Sequence, residues 1–73
     1  MITIQVICDW EHRNYIWHEF RHCGFISRED KNRDIVNDHS NRIFTFDVQS
    51  ENDALKIFVM STNIDGVISA ERI

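Results

Sequence analysis

The sequence predicts an α+β domain in which two helices cover one face of a four-stranded antiparallel sheet, in the order βαββαβ. Three observations lead to this prediction. Apolar residues alternate with polar ones at the start of the chain and again over residues 43–48, the period of a half-buried strand. Two other segments repeat apolar residues at helical spacing. The chain ends in a helix exit, a glycine turn and a closing strand over residues 64–73.

The first strand and the first helix differ in the period of their apolar residues. Residues 1–8 place β-branched and other apolar residues at alternate positions, which predicts a strand with one buried face. Asp9 then caps a helix over residues 10–23. The apolar face of that helix comprises Ile16, Phe20 and Cys23. Gly24 follows at the position where a left-handed residue favours the end of a helix.

The middle of the chain predicts a hairpin. Residues 25–26 begin a short strand that ends in a polar loop over residues 27–33. Residues 35–36 lead into a cluster of turn formers at 37–41, and a strand follows at 43–48. The inward-facing residues of that strand are Phe44, Phe46 and Val48. If this face were open instead, its phenylalanines could stack on RNA bases, but burial against the helices is the commoner cause of such alternation.

The second helix is predicted over residues 51–62. Ser50 and Asp53 have the spacing of a capping box, with Asp in place of the usual Glu. The face predicted to point inward comprises Leu55, Phe58, Val59 and Thr62.

Composition and charge restrict the class of protein. A chain of 73 residues is expected to form a single domain that spans residues 1–73. The net charge is −4 and the acidic excess lies in the C-terminal half, which argues against direct binding of nucleic acid and favours a protein partner with a basic surface. We expect no membrane span and no signal peptide, hence a cytoplasmic location, with Cys8 and Cys23 reduced. Eleven isoleucines against a single leucine indicate an AT-rich coding origin, as in many bacteriophages and mobile elements.

The predicted element order resembles the ferredoxin-like superfold, and four stretches resemble ACT regulatory domains. These stretches are residues 2–6 before Asp9, 22–25, 44–48 and 64–72. The resemblance implies a module that pairs side by side and binds a small ligand, often an amino acid, at the turn after the first strand. That turn lacks the family's glycine, so Asp9 is the one ligand-binding position that corresponds. CRISPR Cas2 proteins share a similar opening, which would make Asp9 a metal ligand; a helix cap is the simpler alternative.

Candidate catalytic and metal-binding groups are few. Both cysteines lie on predicted core faces, where thiols are inert. The paired carboxylates fall in a loop, at Glu29 and Asp30, or in the first turn of a helix, where acids complement the dipole. His18 and His22 have a spacing that could hold a metal, but a third ligand is missing, so a solvated helix face is favoured. We therefore expect no enzyme, no metal site and no cofactor.

Large side chains that lie outside the predicted core faces of the two helices predict a protein interface. In the first helix, two tryptophans and an arginine share a flank, and these residue types dominate binding energy at interfaces. In the second helix, two apolar residues point outward beside an acid. The predicted interface comprises Trp10, Trp17, Arg21, Asp53, Ile57 and Met60. The alternative is that the flanking tryptophans only cover the core edge.

The sequence thus favours a small acidic protein-binding module, of phage or mobile-element origin, that inhibits a host defence or nucleic-acid-handling protein. Anti-CRISPR, anti-restriction and antitoxin roles would all fit, and the location would then be the host cytoplasm. One alternative is an ACT-like regulatory domain that binds a small metabolite at a homodimer interface, with Asp9 in the site. Another is a Cas2-like metal nuclease that depends on Asp9. A homodimer is compatible with each of these hypotheses.

Overall fold

The computed structural model describes residues 1–29 and 41–73. The elements are β1 (Ile2–Asp9), a 3-10 turn (Trp10–His12), α1 (Arg13–His22), β2 (Asn41–Val48), α2 (Glu51–Asn63) and β3 (Val67–Arg72). The three strands form an antiparallel sheet in the order β2-β1-β3. The predicted α+β class is therefore confirmed, with the element order β-α-β-α-β in the described part of the chain.

The core lies between one face of the sheet and the two helices. The predicted inward residues of β2 are buried, and so are Ile4, Val6 and Cys8 of β1, while Ile2 is partly buried. The pairing of the two strands places Val6 opposite Phe44. From α1, Ile16 and Phe20 join the same cluster, with the Phe20 ring 4.8 Å from the ring of Phe46. The phenylalanines of β2 are core residues, so they do not form an open stacking surface for bases.

The first helix begins and ends through local hydrogen bonds. Asp9 accepts the backbone N–H of His12 at 3.0 Å and so caps the 3-10 turn, as its position after β1 predicts. The α-helix itself starts later than predicted, at Arg13, and the side chain of its N-cap residue, His12, does not cap it. At the other end, the N–H of Gly24 donates to the carbonyl of Arg21, and the N–H of Phe25 donates to that of Phe20, both at 2.9 Å. This is the Schellman arrangement, and Gly24 supplies the left-handed residue that it needs, with φ 89°.

Two predictions at this end of α1 are wrong. The helix ends at His22, so Cys23 lies beyond the last turn and is exposed instead of facing the core. No strand forms at 25–26, because the Schellman turn redirects the chain there. Phe25 packs edge-on against Phe46, with 6.4 Å between ring centroids, while Ile26 is 59% exposed. The predicted hairpin partner of β2, at residues 35–36, lies outside the described residues.

Side chains of residues 28–29 bind the strand β2. The Glu29 carboxylate accepts the backbone N–H of Thr45 at 2.7 Å and its hydroxyl at 2.8 Å. The Arg28 guanidinium donates to both oxygens of Asp47, at 2.6 and 2.7 Å, and the hydroxyl of Thr3 donates to the same carboxylate at 2.8 Å. The hydrogen bonds from Arg28, and to a smaller extent the one from Thr3, lower the pKa of Asp47 to about 2.

The face of α2 that points inward is shifted by one residue from the prediction. The buried residues are Ala54, Ile57 and Ser61. Leu55 and Val59, predicted to be inward, are exposed, whereas Ile57, predicted to be outward, is 0% exposed. A shift of one residue rotates the helix by about 100°. The physical reason is packing: Ala54 and Ser61 are small enough to let the helix approach the sheet, and the Ser61 hydroxyl is satisfied by the carbonyl of Ile57 at 2.7 Å.

Candidate protein-binding groove

An apolar groove opens between the end of α1 and the outer face of α2. Its volume is about 530 Å³. It is lined by Cys23, Phe25, Leu55, Lys56, Val59 and Met60. Leu55 and Val59 are 60% and 51% exposed and stand one helical turn apart, so their side chains form a short apolar ridge. Large apolar side chains clustered at one concave surface are typical of contact sites, whereas scattered ones are not.

The groove follows from the orientation of α2 on the sheet and from the turn after α1. The rotation of α2 directs a second apolar stripe, which includes Leu55 and Val59, away from the core. The Schellman turn after α1 then brings Cys23 and Phe25 beside this stripe, and Phe25 is held there by its contact with the core. Met60 completes the wall while packing partly against the core. Both walls are therefore anchored to buried residues.

Lys56 carries the formal charge of the groove lining. In the described part of the chain, the ion pairs are formed by other basic residues. Glu51 pairs with Arg72 at 2.8 Å, and Asp47 pairs with Arg28 at 2.6 Å. Lys56 is thus an exposed cation at the edge of an apolar surface.

The predicted interface residues separate into three groups. Ile57 is buried in the core, so its assignment to an interface is wrong. Met60 lines the groove, and Asp53 lines a smaller adjoining cavity together with Lys56. The tryptophans and Arg21 lie on the 3-10 turn and α1, outside the groove lining. Sequence reasoning missed Cys23, Phe25, Leu55 and Val59; the signal that could have found the last two is the pair of small residues at 54 and 61 on the other stripe of α2.

Each tryptophan is covered by an arginine. The guanidinium of Arg13 lies 3.8 Å from the ring centroid of Trp10 and also donates to the Trp10 carbonyl at 2.7 Å. The guanidinium of Arg21 lies 5.4 Å from the ring of Trp17, which packs partly against the core. These geometries are those of cation–π contacts. A role of the two tryptophans in partner binding stays a prediction.

Asp9 is engaged with His12. Besides accepting the His12 backbone N–H, Asp9 Oδ1 accepts a hydrogen bond from His12 Nδ1 at 2.6 Å. This hydrogen bond lowers the pKa of Asp9 and raises that of His12. The His12 side chain also covers Gly66, whose carbonyl accepts the backbone N–H of Asp9 at 2.9 Å. The carboxylate therefore serves as a helix cap in a small structural cluster; ligand binding by Asp9 stays a prediction.

Other candidate groups are dispersed. Cys8 is buried, and burial raises the pKa of its thiol to about 11. His18 and His22 are exposed on α1. Within residues 1–29 and 41–73, no three His, Cys, Asp or Glu side chains come together as a metal site. None of the helices among these residues has the length and apolar character needed to cross a membrane.

Comparison of the chain with protein-family models, with curated proteins and with solved structures found no significant match.

Proposed function

We propose that this chain is a small acidic, non-enzymatic protein-binding module that inhibits a host protein, and that the groove beside α2 is its contact surface. The observation that carries the proposal is the exposed ridge of Leu55 and Val59 within an apolar groove. The AT-rich composition supports a phage or mobile-element origin, with a target among host defence or nucleic-acid-handling proteins.

The full chain is proposed to have a ferredoxin-like sheet. In the described residues, the first strand is central and both neighbours are antiparallel to it. A βαββαβ sheet has this arrangement when one edge strand is left out. The topology supports the proposed fold and has no bearing on the activity.

Energetically, the groove can supply a hot spot. Complete burial of a Leu or Val side chain is worth about 1.5–3 kcal/mol. Since 60% of Leu55 and 51% of Val59 remain exposed, covering both would contribute roughly 2–3 kcal/mol. The acidic net charge of −4 would accelerate association with a basic partner without adding much affinity.

The test compares a groove variant with a matched surface variant. In the double variant Leu55→Gln/Val59→Gln, polar side chains of good helix propensity replace the apolar ridge. In the control Ile68→Gln, the same chemical change is made at a side chain that is 59% exposed on β3 and outside this groove. Both variants should remain folded by circular dichroism.

Tagged wild-type protein, the groove variant and the control are used to capture partners from nuclease-treated bacterial lysate. We expect a stoichiometric protein retained by the wild type and by Ile68→Gln, and lost with the groove variant. The purified partner should be inhibited by the wild type, with inhibition at least tenfold weaker for the groove variant, as follows from losing roughly 2 kcal/mol. Capture that does not depend on Leu55 and Val59 would contradict the proposed contact surface. Capture of the chain alone would contradict protein binding altogether and leave the metabolite hypothesis to be tested.

A further inference from the structure

We infer that the groove accepts an amphipathic helix of the partner, and that this helix places a carboxylate beside Lys56. The inference rests on the proposed function and specifies the partner's chemistry. It follows from the hydrogen-bonding state of the groove walls and from the charge in its lining.

The groove walls provide side chains and few backbone partners. One wall is α2, whose amides and carbonyls bond within the helix. The other wall is the turn after α1, where the N–H groups of Cys23, Gly24 and Phe25 all donate to carbonyls of α1. An extended peptide binds by pairing its backbone with an exposed strand edge. In this groove its backbone would lose its hydration without gaining hydrogen bonds in return. A helix brings a backbone that is already satisfied.

The shape of the ridge also suits a helix. Leu55 and Val59 are separated by four residues, or about 6 Å along the axis of α2. Rows of side chains four residues apart are the ridges that interlock when two helices pack. A partner helix with apolar residues at i and i+4 could therefore set them on either side of this ridge, toward Phe25 and Met60.

The positive charge of Lys56 determines which charged residue the partner helix should carry. Lys56 adjoins Leu55 and is exposed at the groove. A carboxylate on the partner helix would meet this ammonium, whereas a lysine there would be repelled. This local contact is distinct from long-range attraction, in which the negative net charge favours a partner that is basic as a whole.

Three synthetic peptides of about 15 residues, near the length at which isolated helices become marginally stable, provide the test. All are Ala-rich, blocked at both ends, and carry Leu at i, i+4 and i+7. The first has Glu flanking the Leu stripe, the second has Lys at that position, and the third is the Glu peptide with a central proline that breaks the helix. Binding is followed by titration, together with the rate of thiol modification at Cys23. Because Cys23 is exposed and Cys8 is buried, modification of the folded protein reports on the groove.

We expect the Glu peptide to bind and protect Cys23, the Lys peptide to bind about two- to fivefold more weakly, as for an exposed ion pair, and the proline peptide not to bind. Lys56→Glu should reverse the preference between Glu and Lys peptides, and Leu55→Gln/Val59→Gln should abolish binding of both. Equal binding of the Glu and Lys peptides, or binding of the proline peptide, would overturn the inference. If the captured partner depends on Leu55 and Val59 while no helical peptide protects Cys23, the inference fails and the proposed function stands. If neither the capture nor the peptides depend on the groove, both fail.

Discussion

Replacing Ile57 by alanine should destabilise the protein far more than replacing Leu55, although the two residues are near neighbours on α2. Each substitution removes three carbon atoms. Ile57 is 0% exposed, so its truncation removes buried surface worth about 2.4 kcal/mol, at about 0.8 kcal/mol per carbon, and leaves a cavity in the core. The expected total is about 2–5 kcal/mol. Leu55 is 60% exposed, so its truncation should cost about 1 kcal/mol, with no enclosed cavity.

These values are large relative to the stability of a 73-residue domain, which is about 3–5 kcal/mol for a single core of this size. Ile57→Ala should therefore leave a substantial fraction of the chain unfolded at room temperature. Ile57→Val removes a single carbon, costs about 0.5–1.5 kcal/mol, and keeps the comparison measurable. Each kcal/mol lost should lower Tm by about 4–8 °C in a domain of this size.

The assay is urea unfolding followed by far-ultraviolet circular dichroism, with Tm measured on the same samples. The expected order of stability is wild type, then Leu55→Ala and Ile57→Val, then Ile57→Ala. If Leu55→Ala lowered the free energy of unfolding as much as Ile57→Ala does, Leu55 would be buried as Ile57 is, and α2 would have no exposed apolar ridge.

Two further predictions concern the turn at Asp9 and Gly66. Gly66→Ala should lower the free energy of unfolding by more than about 1 kcal/mol, because Gly66 has φ 98° and an added Cβ would lie 2.5 Å from the His12 ring. Gly24→Ala should lower it by less in the same urea assay, because Gly24 has φ 89° but an added Cβ would meet nothing within 4 Å. The Asp9–His12 pair should stabilise the fold between about pH 4 and 6.5, with loss as pH rises through the raised pKa of His12 or falls through the lowered pKa of Asp9. The Tm difference between wild type and His12→Asn should thus peak near pH 5–6 and shrink above neutrality, with His22→Asn as the control; a difference that grew in alkali would contradict this assignment.

Features set by neighbouring residues were predictable from the sequence. Asp9 caps the first turn after β1, and Ser50 Oγ accepts the N–H of Asp53 at 3.2 Å, both as the spacing indicated. The buried faces of β1 and β2 were also predicted, because strand side chains alternate strictly between two faces and one of these faces is clearly apolar. Gly24 was also identified as the residue that follows the end of α1, because glycine adopts the left-handed conformation needed there.

The candidate site was only partly predictable. Met60 was assigned to a contact surface and lines the groove. Ile57 was assigned there too and is buried, while Leu55 and Val59 were assigned to the core and form the ridge. The error has a single cause: α2 carries two apolar stripes of similar strength, and periodicity identifies a helix without saying which stripe is inside.

By itself, the sequence determined the α+β class, the caps at Asp9 and Ser50, the glycine turns and the buried faces of the strands, since each depends on chemistry within a few residues or on a period of two. Only the tertiary structure decided the rotation of α2 and hence the existence of the groove. That choice depends on close packing: Ala54 and Ser61 allow the helix to approach the sheet and enclose Ile57, and this contact joins residues far apart in the chain. The apolar residues excluded from the core then remain at the surface, where a partner can cover them.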